Sequence, residues 1–277
     1  MTKADKTSNV GNSLPAPRAA DALPFLFDDL DGFQARIAGR QIALFLDFDG
    51  TLTAIAERPE LAKMSEEMRT AVRRAAARFQ VSIISGRDRP DVEALVDLDN
   101  LIYAGSHGFD ISHPHDHGQG APYRETIQNI GEELYGALSS IDGVVIERKK
   151  LSVAVHYRLV AEKNVGKVNA VVEEITKKYP DIGLIAGKKV FEILPPVDWD
   201  KGKAVLWLLD RFGDNGDEVL PIYIGDDVTD EAAFKALSGK GIGIFVCGDD
   251  GRRETRADLK VRDVAEVGRL LALLAED

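Results

Sequence analysis

Residues 42–52 read Ile-Ala-Leu-Phe-Leu-Asp-Phe-Asp-Gly-Thr-Leu, an apolar run that stops on two carboxylates and a glycine. Five consecutive apolar residues before Asp47 suit a strand covered on both faces, as in the middle of a parallel sheet. In open sheets of that kind ligands bind beyond the carboxyl ends of the strands, which is where Asp47 and Asp49 fall. Residues i and i+2 of an extended segment point the same way, so both carboxylates can face one reacting atom.

Outward from this segment the strand–helix rhythm repeats. Ser65 opens an expected helix with Glu66 and Glu67 in its first turn, and Met68, Val72, Ala75 and Phe79 form its apolar face. Residues 81–84 and 101–104 read as further buried strands, closed by Ser85-Gly86-Arg87 and Gly105-Ser106-His107-Gly108. Such alternation indicates βαβ units and a parallel sheet. The pattern then changes. Strands are expected in consecutive pairs at 144–147 with 151–157 and at 182–186 with 190–194, and helices over 125–138 and 162–178. Parallel character returns with a helix over 201–212, a strand over 220–224 ending in Gly225-Asp226-Asp227, a strand over 241–246, and a last helix opened by the capping pair Asp263 and Glu266. The reading is an α/β fold with an inserted α/β lid over 109–195, flanked by core segments at 26–108 and 196–277. Residues 1–25, rich in Ser, Pro, Ala and Asn, read as a flexible tail lacking the apolar centre of a signal peptide.

The 277 residues suffice for one large core or two modest ones. A formal net charge of -11 argues against non-specific nucleic-acid binding, and no apolar stretch approaches the ~20 residues of a membrane span. The single cysteine, Cys247, excludes an internal disulfide and a cysteine-based zinc site. One thiol in a chain of this length fits a reducing, cytoplasmic setting. A monomer acting on a small molecule is expected. His113, His115 and His117 alternate in a polar stretch that reads as a solvent loop.

Four strand ends carry polar groups: Asp47 with Asp49, Ser85, His107, and Asp226 with Asp227 and Asp230. Lys201 and Lys203 open a helix nearby. Acids, a hydroxyl and a lysine at one sheet edge suit metal-assisted phosphoryl transfer, since Mg2+ favours carboxylate oxygens and retains waters. Asp47, Asp226 and the carbonyl of Asp49 can supply its ligands. Asp47 can attack phosphorus to form an aspartyl-phosphate, and Asp49 can act as acid and then base. Ser85 and a lysine, 201 or 203, can hold the transferring oxygens.

Taken in order, Asp47-Phe48-Asp49-Gly50-Thr51, Ser85, Lys201 and Gly225-Asp226-Asp227-Val228-Thr229-Asp230 resemble the four motifs of the haloacid-dehalogenase superfamily. The resemblance implies a Rossmann-like core, a nucleophile at Asp47, an acid/base at Asp49, the phosphate lysine at Lys201, and metal ligation by Asp47, Asp49 and Asp226, with Asp227 and Asp230 holding metal waters or orienting the lysine. Ser85-Gly86-Arg87, Gly105-Ser106-His107-Gly108, Glu147-Arg148-Lys149, His156-Tyr157-Arg158 and Lys189-Val190-Phe191-Glu192 are similar to segments of trehalose-6-phosphate phosphatases. This second resemblance implies substrate contacts from Thr51, Arg87, His107, Glu147, Lys149, His156, Arg158, Lys188 and Glu192. Alternatives are a phosphatase for sucrose or mannosylglycerate phosphates, a phosphomannomutase-like enzyme, and a non-catalytic sugar-phosphate sensor.

Strand alternation supports the lid independently. Leu151, Val153, Val155 and Tyr157 share one face of an extended strand, and Ser152, Ala154, His156 and Arg158 the other. The lid sheet is therefore expected to be apolar toward its helices and polar on its open side.

Overall fold

The computed structural model describes residues 16–112, 121–212, 219–248 and 253–276. The first elements are β1 (Arg18–Ala19) and α1 (Leu30–Ile37), followed by the apolar run as β2 (Gln41–Leu46). Next come α2 (Glu66–Ala76), β3 (Gln80–Ile84), α3 (Arg89–Val96), β4 (Ile102–Gly105) and the two-residue β5 (Asp110–Ile111). An inserted unit contains α4 (Arg124–Leu138), β6 (Val145–Arg148), β7 (Val153–His156), α5 (Glu162–Lys177), β8 (Gly183–Gly187) and β9 (Val190–Leu194). The chain then gives α6 (Lys201–Phe212), β10 (Val219–Gly225), α7 (Glu231–Leu237) and β11 (Ile242–Val246). It ends with β12 (Glu254–Thr255), β13 (Leu259–Val261) and α8 (Val264–Leu274).

Among the described residues, seven strands form one sheet in the order β13-β11-β10-β2-β3-β4-β5. Every pairing is parallel except that of β4 with β5. The unbroken apolar character of β2 has a direct cause. Ile42, Leu44 and Leu46 pack with Met68, Val72, Val267 and Leu271 on one face. Ala43 and Phe45 pack with Ala204, Leu208 and Phe234 on the other. Each fully buried side chain of this size contributes roughly 1.5–3 kcal/mol, so the central strands anchor the whole three-layer arrangement. They also place the chemistry. Leu46 lies opposite Ile224 in the parallel register, and the Asp47 amide donates to the Ile224 carbonyl at 2.9 Å. The residues that follow β2 and β10 therefore emerge side by side.

The inserted unit is a four-stranded antiparallel sheet, β6-β7-β9-β8. Val153, Val155 and Ile193 pack against Ile127, Ile130 and Leu134 of α4 and Val168 and Val172 of α5. Glu147, Ala154 and Glu192 are cross-strand neighbours on the opposite face, which agrees with the alternation read in the sequence. Leu151 departs from it. This residue packs with Phe109, Leu194 and Trp199 at the junction with the larger sheet, not under the lid helices.

Two expected boundaries shift. The insert was expected from residue 109, but Asp110 and Ile111 turn back on β4 and extend the seven-stranded sheet. A two-residue strand carries no periodicity for sequence to reveal. The tail expected over 1–25 is held from Arg18 onward. β1 pairs with β12, Ala20, Leu23 and Leu26 are buried, and Lys260 donates to the carbonyls of Ala20 and Asp21 at 3.1 and 2.8 Å. Its Pro- and Ala-rich composition resembles a tail, yet three apolar residues at three-residue spacing suffice to dock it. No helix of the described residues is long and apolar enough to cross a membrane.

Candidate active site

A cleft separates the carboxyl edge of the seven-stranded sheet from the polar face of the four-stranded sheet. Asp47, Asp49, Arg87, His107, Lys201, Asp226 and Asp227 line it from one side, and Glu147, Lys149, His156, Arg158, Lys188 and Glu192 from the other. Gly50 lets two strand ends meet there: its φ is +89°, and a Cβ at that position would lie 2.3 Å from the Asp226 carboxylate. Any side chain would clash with the acid as well as strain the backbone.

On the strand side, Lys201 stands at the start of α6, buried, and donates to Asp47 Oδ1 and Asp230 Oδ1, both at 2.7 Å. Burial opposes the ammonium charge, but Asp230 and Asp47 outweigh it, and the Lys201 pKa rises well above its ordinary value. Asp230 also accepts from the Tyr223 hydroxyl at 2.7 Å and the Asp227 amide at 2.8 Å. Burial raises Asp230, yet Lys201 and these hydrogen bonds hold it below the usual carboxylate range. Asp47 is the reverse case. Burial pushes its carboxyl well up, Lys201 draws it down, and Asp230 and Asp226 push it up again.

The carboxylates of Asp47, Asp226 and Asp230 offer oxygens within 4.8 Å of one another. Asp226 Oδ1 is buried without a hydrogen-bond partner, while Oδ2 accepts from Lys188 Nζ at 3.1 Å. An orphaned carboxylate oxygen in a cluster of buried acids fits a hard divalent cation bound through oxygen. Asp230 is already engaged by Lys201 and Tyr223. Asp227 lies outside the acid cluster, and its buried Oδ1 has no hydrogen-bond partner.

On the lid side, Glu192 Oε1 accepts from Lys149 Nζ at 2.8 Å and Ser152 Oγ at 2.7 Å, with His107 Nε2 at 3.5 Å. Lys149 also donates to the Gly86 carbonyl at 2.8 Å, across the cleft. Burial raises the Glu192 pKa, but Lys149 and His107 outweigh it and hold the group far below the carboxylate range. Glu147 pairs with His156 at 3.0 Å; Lys149 and His156 likewise overcome burial and lower it. Arg158 donates to the Lys188 carbonyl at 2.9 Å, steadying the turn that carries Lys188.

Some expected site residues are placed differently. Thr51 is fully buried and does not line the cleft, because the chain turns after Gly50 and carries it inward. Ser85 sits beneath the wall, where its Oγ accepts from the Arg87 amide at 3.2 Å. Arg87 faces the cleft, but its guanidinium grips both oxygens of Asp49 at 2.7 Å and the Pro59 carbonyl at 3.0 Å, so it acts first on Asp49. Lys203 points away and donates to the Asp198 carbonyl. The loop residues Ile55, Glu57 and Pro59 line the cleft without having been singled out in the sequence. Tyr223 was missed as well. His113, His115 and His117 lie outside the described residues.

Comparison with known proteins adds four findings. The family model described as trehalose-phosphatase matches residues 45–265. A probable trehalose-phosphate phosphatase D of Arabidopsis thaliana is 42% identical over 251 residues, covering 86% of this chain and 68% of its own length. Trehalose 6-phosphate phosphatase RA3 of Zea mays is 41% identical over 283 residues, covering 93% of this chain and 78% of its own. Among solved structures, a trehalose-6-phosphate phosphatase related protein superposes with a TM-score of 0.73 at 26% identity, covering 84% of this chain and 96% of that one.

Proposed function

The chain belongs to the trehalose-phosphatase family of hydrolases, and from that premise we propose that it cleaves trehalose 6-phosphate to trehalose and phosphate in this cleft. The observation that carries the reading is the pairing of two unlike walls. One wall holds Asp47 against Lys201, with Asp49 clamped beside it. The other presents Lys149, Glu192, Glu147 and Lys188, donors and acceptors suited to sugar hydroxyls. A wall of groups that need partners discriminates against sugars that leave them unpaired.

In the proposed reaction Oδ2 of Asp47 attacks phosphorus while Oδ1 stays on Lys201. The bond from phosphorus to the sugar oxygen breaks, and Asp49 gives that oxygen a proton. Asp49, now a carboxylate, takes a proton from water as the water oxygen attacks phosphorus. The Asp47–phosphorus bond breaks, freeing phosphate and restoring both aspartates. The bidentate grip of Arg87 orients Asp49, and one Asp49 oxygen must slip that grip to reach the leaving oxygen. Asp47, Asp226 and the Asp49 carbonyl would hold Mg2+, which supplies positive charge to the phosphoryl oxygens. We place the sugar against a lid domain made of the four-stranded unit, whose closure would exclude stray water from the phosphoenzyme.

The testing experiment is phosphate release with Mg2+ and with EDTA across trehalose 6-phosphate, sucrose 6-phosphate, glucose 6-phosphate and mannose 6-phosphate. Preference for trehalose 6-phosphate, lost with EDTA, is expected. Preference for another sugar phosphate overturns the substrate assignment.

Glu192→Gln is expected to lower kcat/KM for trehalose 6-phosphate by about 100-fold, the scale of a lost charge-assisted hydrogen bond network of about 3 kcal/mol. Hydrolysis of p-nitrophenyl phosphate should change little. Equal losses on both substrates would show that Glu192 does not read the sugar. Glu192→Ala should also cost stability, about 3–5 kcal/mol, because Lys149 then loses its buried counter-charge.

A further inference from the structure

Asp88 occupies the N-cap position of α3, where an aspartate ordinarily accepts from its own helix. Its side chain makes no such bond. Oδ1 accepts instead from Ser106 Oγ at 2.9 Å, and Oδ2 from the Lys150 backbone amide at 2.8 Å, on the far side of the cleft. An acid that gives up its local cap to span two units is held there by those units.

Both partners adjoin residues that line the cleft, His107 on the core side and Lys149 on the lid side. Ser106 and His107 have φ of +49° and +58°, an unfavourable conformation for residues with a Cβ. The pair is held by Ser106 N to the Arg87 carbonyl at 2.7 Å, by His107 N to the Ser85 carbonyl at 2.9 Å, and by the Ser106 hydroxyl on Asp88. That loop sets His107 beside Glu192. Lys150 follows Lys149, whose ammonium reaches Glu192 and the Gly86 carbonyl. The Lys150 side chain is fixed separately, on Asp110 Oδ2 at 3.1 Å.

We propose that Asp88 is a positioning residue for substrate recognition, bridging the strained Ser106–His107 turn of the core to the Lys149–Lys150 turn of the lid so that His107 and Lys149 converge on Glu192. Asp88 lines no part of the cleft and touches no reacting atom. Its effect passes through the two turns. The proposal rests on the substrate reading given above.

Asp88→Ala, Asp88→Asn and Ser106→Ala separate positioning from a structural role. An asparagine can still accept from the Lys150 amide through its oxygen and donate to Ser106 Oγ through its nitrogen. Asp88→Ala should raise KM for trehalose 6-phosphate about tenfold, with kcat for that substrate and all constants for p-nitrophenyl phosphate within about twofold of wild type. Asp88→Asn should restore KM to within about threefold, and Ser106→Ala, which breaks only the core half of the bridge, should raise it by a smaller factor than Asp88→Ala. Should Asp88→Ala fail to fold, Ser106→Ala carries the test alone. Unchanged KM in the variants, equal losses on both substrates, or an asparagine variant as impaired as the alanine one overturns the proposal. A wild-type enzyme that hydrolyses p-nitrophenyl phosphate but not trehalose 6-phosphate overturns the substrate reading itself, an outcome visible before any variant is measured.

Discussion

Asp47→Asn is expected to lower turnover by on the order of 10⁵-fold or more while the protein folds and still binds trehalose 6-phosphate, because removing a nucleophile on which the other groups act removes their effect with it. An amide is a poor nucleophile toward phosphorus and cannot form the aspartyl-phosphate. The shape is preserved. Asparagine has the same outline, and its side-chain oxygen can accept the Lys201 hydrogen bond that Asp47 Oδ1 accepts at 2.7 Å. Stability should survive because the native state does not depend on this charge. Burial raises the Asp47 pKa well above its ordinary value, Lys201 draws it down, and Asp230 and Asp226 raise it again. A neutral group there relieves repulsion among three acids and leaves Lys201 its other carboxylate partner, Asp230, also at 2.7 Å. Steady-state phosphate release, thermal unfolding and calorimetric titration with trehalose 6-phosphate check the three parts separately. Turnover near wild type would sink the covalent mechanism.

The contrast between what was legible in the sequence and what was not has a physical basis. A parallel strand buried on both faces reads as an unbroken apolar run, so β2 and β10 announced themselves and their ends marked the chemistry. The period-2 pattern of β7 likewise showed which lid face is polar. The same continuous burial hid Tyr223. Where every position of a strand is apolar, alternation cannot reveal which side chain reaches Asp230. Lys201 and Lys203 lie about 200° apart around a helix, so only one can enter the cleft, and spacing alone does not say which. Thr51 and Ser85 belong to the motifs but turn inward. The direction of a loop side chain depends on a turn, and composition does not encode it. Short elements escaped for want of length: β5, β12 and β13 have two or three residues each. The grip of Arg87 on Asp49 joins residues 38 apart in sequence and is a product of tertiary packing alone.

In the metal-free protein, Asp226 should make stability fall as pH rises from about 4 to about 7, and Asp226→Asn should abolish that component. Burial, followed by Asp230, raises this carboxyl from 3.8 to about 7, with Lys188 pulling it down and Asp227 adding to the rise. The native state therefore keeps a proton that the unfolded chain releases above its ordinary value. Stability from this group is complete below 3.8 and is lost as pH climbs through the native value, a loss on the order of a few kcal/mol. Other groups slope the opposite way. Glu192, Glu147 and Asp230 have lowered values, so their contribution is present above the ordinary carboxylate range and disappears on acidification. The raw profile is consequently a sum with a maximum. The difference between wild type and Asp226→Asn, measured as thermal midpoints in EDTA from pH 4.5 to 8, isolates the Asp226 part, and a flat difference would refute the assignment. The same proton competes with a divalent cation, since a carboxylate must be ionised to ligate. Calorimetric Mg2+ affinity should thus strengthen up to about pH 7 in wild type. Lys188→Ala sharpens the distinction between proton and ammonium as competitors. Removing the lysine takes away the one influence that lowers Asp226 most and also the cation 3.1 Å from its Oδ2. Well above the raised Asp226 value, where both proteins have lost the proton, this variant should bind Mg2+ more tightly than wild type, whereas at pH 6 its more strongly held proton should offset that gain.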